Sequence, residues 1–164
     1  MKIPEWLKTT LSVILLALIF VAYFLTHTPE KKEPESEYRY PITNVLTFNH
    51  TVLVGETEVQ AAFATIPEET ERGLSNSVPL QPNEGMLFVF DEPGRTPFWM
   101  KDMNYSIDII WIDENKKVID ITRDLSPSSF PNVYPPKEPA LYALEVPAGF
   151  AAAHDVIVGT DVSF

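Results

Sequence analysis

The sequence predicts a mainly β domain, a β-sandwich or irregular barrel with one or two short helices, preceded by an N-terminal transmembrane helix. Three observations predict it. Residues 6–25 form one long apolar run. From Pro41 onward the chain breaks into short β-branched or alternating runs separated by Gly, Pro and Asn. The composition, 45% hydrophobic and 12% aromatic over 164 residues, supplies a core for one modest domain.

The apolar run WLKTTLSVILLALIFVAYFL, Trp6 to Leu25, rises about 30 Å as a helix, close to the hydrocarbon thickness of a bilayer. Lys2, Lys8 and the α-amino group precede the span with only Glu5 against them, which keeps the N-terminus cytoplasmic. Trp6 and Tyr23 suit the two interfaces. The residues after the core, Ala22 to His27, offer no small-x-small cleavage site, so residues 1–27 read as an uncleaved signal-anchor. Residues 28–40, TPEKKEPESEYRY, carry two prolines and seven charged side chains and read as a linker. The rest, residues 41–164, is then an extracytoplasmic domain on a single-pass membrane anchor.

Within that domain, Asn44–Val54 and Glu58–Ile66 read as paired strands around Gly55-Glu56. Pro67–Gly73 reads as a short helix, with Pro at its first position, acids in its first turn, and Arg and Gly at its exit. Five more strands are expected at Gly85–Phe90, Pro97–Lys101, Ile107–Asp113, Lys117–Arg123 and Ala140–Val146. Pro127, Pro131, Pro135, Pro136 and Pro139 stiffen a long loop before the last of these. Ala148–His154 has the alanine content of a short helix, and Asp161–Phe164 can close the sheet.

Charge and composition exclude several functions. Residues 41–164 hold 7 Lys+Arg against 18 Asp+Glu, the wrong balance for neutralising phosphates, so no nucleic-acid partner is expected. There is no cysteine, which removes disulfides, thiolate nucleophiles and Cys-based zinc sites. His50 and His154 read as surface histidines, and Met86, Met100 and Met103 as core fillers. No metal and no cofactor is expected.

Three segments together resemble a known family: RGLSNSVPLQPNEGMLFVF (Arg72–Phe90), PFWMKDMNYSIDIIWID (Pro97–Asp113) and YALEVPAG (Tyr142–Gly149). In order and spacing they are similar to the DUF192, or UPF0127, family of small, often exported domains, over residues 44–164. The resemblance implies a compact, mainly antiparallel β domain of jelly-roll type, frequently secreted or membrane-tethered, and brings no established activity. The family's FWMKNT reads FWMKDM here, with Ser106 where a proline usually precedes the DI strand.

Five residues are candidates for a ligand site: Arg72, Trp99, Lys101, Asp108 and Glu145. The strand period puts Trp99 and Lys101 on one face, Asp108 with Ile110 and Ile112, and Glu145 with Leu141 and Ala143. Four charges in apolar company either pair with one another or cap backbone groups at partly buried positions, or line a pocket for an anionic or sugar-like ligand beside an aromatic platform. The leading expectation is a binding or accessory module for an envelope component or small polar ligand. An envelope glycan hydrolase using Asp108 and Glu145 as acid and base requires their carboxyls to stand about 5 to 9.5 Å apart. A third reading is a structural domain docking on another envelope protein. A reporter fused after Phe164 is expected to be active outside the cytoplasm; activity inside it would reverse the orientation.

Overall fold

The computed structural model describes residues 44–164 and, ahead of them, Pro4 alone. The expected membrane span and linker lie outside the described residues. Among the described residues no helix is long and apolar enough to cross a membrane.

The first two strands, β1 (His50–Val54) and β2 (Thr57–Ala64), form an antiparallel hairpin. Its two-residue turn, Gly55-Glu56, begins at φ 61°, a conformation that glycine adopts without steric cost. Helix α1 (Pro67–Arg72) follows, with Pro at its start, Glu68 and Glu69 in its first turn and Arg72 in its last. It ends at Gly73, φ 49°, whose N–H donates to the Glu69 carbonyl. The crossover through α1 returns the chain to β3 (Glu84–Gly94), which lies parallel to β2.

β3 pairs antiparallel with β8 (Ala140–Pro147), β8 with β5 (Ile107–Ile112), and β5 with β6 (Val118–Leu125). At the other side, β9 (Val162–Ser163) pairs with β1. The order is therefore β6-β5-β8-β3-β2-β1-β9 in a single sheet. The segment before β9 reaches the opposite edge: Lys117 bridges Asp161, the Val118 N–H donates to the Thr160 carbonyl at 2.9 Å, and the Val162 N–H to the Lys116 carbonyl at 2.9 Å. These bonds draw the two edges together, and the sheet curls into a half-barrel.

Both faces of that sheet are covered. On one, Val52, Val59, Leu87, Ile110, Ile112, Leu144 and Val146 pack with Phe150 and Ala151 of α2 (Phe150–Ala153). On the other, Ala62, Met86, Phe88, Ile107, Ile109, Trp111 and Ala143 pack with Leu74, Met100 and Phe98 from the connecting segments. This is why all six residues of β5 are buried, where a strand with one wet face would alternate. Burying each large side chain there contributes about 1.5 to 3 kcal/mol, and the indole N–H of Trp111 is satisfied by Thr122 Oγ1 at 3.0 Å.

The mainly β fold with two short helices agrees with the sequence, and of the two architectures expected, an antiparallel β-sandwich or an irregular barrel, the two-layer sandwich is not formed. A single curled sheet with one parallel pair takes its place, because α1 carries the chain over to β3 instead of turning straight back. Two expected strands are shorter. Residues Asn44 to Asn49 run unpaired ahead of β1, and buried Asn44 ties them down by donating from Nδ2 to the Gly73 carbonyl at 2.8 Å. β4 comprises only Phe98–Trp99, paired with β7 (Val133–Tyr134) in a separate ribbon. It stops there because Lys101 and Asp102 enter a turn, Asp102 at φ 56°.

Asp108, completely buried on β5, supports α2 from below. Gly149, at the N-cap of α2, has no side chain to cap the helix. Asp108 Oδ2 accepts from the Ala151 N–H at 3.0 Å instead, and Oδ1 from the Asp124 N–H at 2.9 Å. The carboxylate thus does the work of an N-cap from a distant strand. Asp108→Ala leaves both N–H groups without that partner and is expected to cost about 2 to 4 kcal/mol in urea unfolding, with faster hydrogen exchange at Ala151. A change below about 0.5 kcal/mol, the ordinary range for an unimportant surface position, would contradict this role.

Candidate functional site

Glu145 sits on β8 opposite Met86 of β3 and Ile109 of β5, so it shares the face that carries Phe88 and Trp111. The backbone is tight around it: a Cβ on Gly85 would stand 2.8 Å from the Glu145 carbonyl oxygen and 2.9 Å from Val59 Cγ1. Glu145 is 4% exposed, and its Oε2 has no hydrogen-bond partner. With no cation to offset it, burial pushes the carboxyl up to about 8. An isolated buried carboxylate would cost several kcal/mol, so the group keeps its proton at neutral pH.

Glu145 lines a cavity of about 440 Å³ beside α1. Pro67, Thr70, Glu71 and Arg72 come from the helix, Gly73 to Ser75 from its exit, Phe88 and Phe90 from β3, and Thr96 to Trp99 from β4 and the chain before it, with Met103. Phe98 fixes the aromatic wall, meeting Phe88 edge-on at 4.8 Å and Trp111 at 5.1 Å. Trp99, on the opposite side of the strand, is 51% exposed and approaches Phe130 at 6.2 Å. Arg72 is half-buried; its Nε is buried without a hydrogen-bond partner, and no carboxylate among the described residues forms an ion pair with it. It also borders a second hollow of about 430 Å³, toward His50 and Glu69.

Next to the cavity, the Tyr105 hydroxyl and Ser77 Oγ share a 2.7 Å hydrogen bond. Burial pushes the phenol up to about 12, helped by the charges of Glu145 and Glu84 and opposed by the bond to Ser77.

Of the five candidate residues, the structure brings together three: Arg72, Trp99 and Glu145 all line the cavity. Lys101 does not join them. It is exposed on the turn after β4, where its carbonyl accepts from Ser75 Oγ at 3.0 Å, and it pairs with none of the other three charges. Asp108 is held beneath α2 on the other face of the sheet. In the β5–β8 register Asp108 stands opposite Val146 and Ile109 opposite Glu145, so the two carboxyls project from opposite faces. This geometry removes them as an acid–base pair across one groove. Of the expectation that the four charges pair with each other or cap backbone groups, Asp108 fulfils the second part by accepting from two backbone N–H groups, whereas Arg72 Nε and Glu145 Oε2 have no hydrogen-bond partner. Phe88, Phe90 and Phe98, not among the five candidates, also wall the cavity; the signal that places Phe88 there is the strand pairing, which sets it two residues from Met86, itself opposite Glu145.

A sequence profile described as "Uncharacterized ACR, COG1430", that of DUF192, matches residues 50–164. The chain belongs to the DUF192 family. Two crystal structures are similar to this DUF192 protein. One is a protein of unknown function from Novosphingobium aromaticivorans DSM 12444, with 26% identity and a TM-score of 0.67 over 70% of this chain and 84% of that one. The other, named "putative transcription regulator", is from Sinorhizobium meliloti 1021, with 25% identity and a TM-score of 0.64 over 69% and 89%. No curated protein matches the chain.

The buried carboxyl of this DUF192 domain gives stability a defined pH dependence. The folded state holds the Glu145 proton up to about pH 8, whereas the unfolded chain releases it near pH 4.5. Its contribution is fully present below the unfolded value and is lost as pH rises toward and through the folded one. Glu145→Gln is therefore expected to match the wild type near pH 4 and to exceed it by on the order of 3 to 5 kcal/mol at pH 8, in urea unfolding of the full-length protein. Equal pH slopes for the two proteins would show that Glu145 ionises freely when folded.

Proposed function

We propose that this DUF192 protein is a binding module that holds a small molecule in the cavity beside α1, and that it does so outside the cytoplasm on an N-terminal membrane tether. The observation that carries the reading is that Arg72 and Glu145, each with a buried polar atom left without a partner, Nε and Oε2, both line one aromatic-walled cavity. Buried polar groups in folded proteins are nearly always satisfied, and a ligand that meets both removes a standing cost. A largely apolar hollow of a few hundred Å³ with a few convergent polar groups has the size and character of a small-molecule site. Binding without transformation is favoured because Asp108, the carboxylate expected to act with Glu145 on a glycan, faces away from it.

The tether rests on the apolar run at residues 6–25 and the charged segment after it. It would keep the domain within a few nanometres of the membrane, so the ligand is sought among small envelope molecules. A second reading, docking on another envelope protein, is favoured by one feature: exposed Trp99, Phe130 and Val133 lie together at the β4–β7 ribbon.

A thermal-shift screen of the full-length protein against small sugars, peptides and organic acids and amines tests the first reading. A ligand present at a hundred times its Kd stabilises by about 2.7 kcal/mol, enough to raise Tm by a few degrees. The rise is expected to vanish in Arg72→Gln. A screen in which no compound gives an Arg72-dependent shift would reject the cavity as the binding site.

A further inference from the structure

Resting on the reading of the cavity as a ligand site, the chemistry of its two free polar groups narrows what the ligand is. Arg72 presents a cationic guanidinium whose Nε–H has no acceptor. Glu145 is deeply buried with no cation against it. A carboxyl so placed keeps its proton and is then a hydrogen-bond donor rather than an anion. Both groups therefore ask for an acceptor. The surrounding rings, Phe88, Phe90, Phe98 and the half-exposed Trp99, ask for an apolar or aromatic body.

We propose that the cavity takes an organic carboxylate with an aromatic or apolar body, its oxygens accepting from the Arg72 guanidinium and from the Glu145 carboxylic acid. The opposite choice, an amine held over the rings, would need Glu145 ionised and would place a second cation beside Arg72. A sugar would satisfy the donors with neutral hydroxyls but leave the guanidinium without a counter-charge. An anion meets both requirements together.

The arrangement fixes how binding responds to pH. The titratable and charged groups around Glu145 are Arg72 and exposed Glu71 from α1 across the cavity, with Tyr105 from the segment before β5 and Glu84 from the start of β3 nearby. Tyr105, pushed up to about 12, remains neutral through this range. Between pH 6 and 9 Glu145, pushed up to about 8, loses its proton and changes from donor to repelling anion. Carboxylate affinity should then fall by about tenfold per pH unit above that value, while amine affinity would rise.

Three probes of one shape separate these outcomes: phenylacetate, phenethylamine and 2-phenylethanol, titrated into the full-length protein at pH 6 and pH 9 by calorimetry or ligand-observed NMR. Phenylacetate is expected to bind more tightly than both others at pH 6 and about tenfold more weakly at pH 9 than at pH 6. In Glu145→Gln, whose amide still donates but does not titrate, phenylacetate should bind equally at the two pH values. Arg72→Gln should lose it at both. Preference for phenethylamine or 2-phenylethanol, with Arg72-dependent binding, would overturn the carboxylate assignment while leaving the cavity a binding site. If none of the three bound, both this assignment and the cavity reading would fall.

Discussion

Coverage of one sheet on both faces is the constraint on which the rest of this structure depends. Because α2 and the C-terminal segment lie on one side and the β4 region on the other, strands β5 and β8 have no wet face where a charge can rest. Every polar side chain on them must find a partner or change its protonation state. Three buried carboxyls of the sheet, two on these strands and Asp120 on the adjoining β6, show the range of answers. Asp108 accepts from two backbone N–H groups, Asp120 accepts from the backbone and ammonium of Lys137, and Glu145 has neither kind of partner and keeps its proton instead.

That difference separates a structural residue from a candidate functional one better than burial does. Asp108 and Glu145 are both almost wholly enclosed, and each interrupts an apolar strand. Asp108 is accounted for by its role under a helix whose own N-cap is a glycine. Nothing comparable accounts for Glu145, which borders open space. A position that costs stability at neutral pH and is not offset within the fold is the kind of place where function, not folding, explains the residue.

Much of this was legible in the sequence, and what was not follows from the limits of periodicity. The strand runs, the Gly55-Glu56 turn, the Pro-to-Gly span of α1 and the short alanine helix are local signals, and the structure carries them within a few residues. Alternation also placed Trp99 and Lys101 on the face opposite Phe98 and Met100, as observed in their exposure. It could not show that the backbone turns at Asp102, which sets Lys101 on the surface instead of beside Arg72. Nor could it relate one strand's faces to another's. Asp108 and Glu145 each had a known side within their own strands, but only the register of β5 against β8 reveals that those sides are opposite.

The same register explains why the cavity exists where it does. Met86, Ile109 and Ala143 cover the sheet around Glu145, but α1 stops at Gly73, and β4, only two residues long, holds the wall with Phe98. Among the described residues, the cavity over the carboxyl is left between the end of that helix and that ribbon. A phenylalanine or leucine at position 145 would use its apolar surroundings without electrostatic cost. Glutamate there gains nothing from the core, whereas in a cavity that Arg72 also lines a protonated carboxyl supplies a second donor without adding a second positive charge.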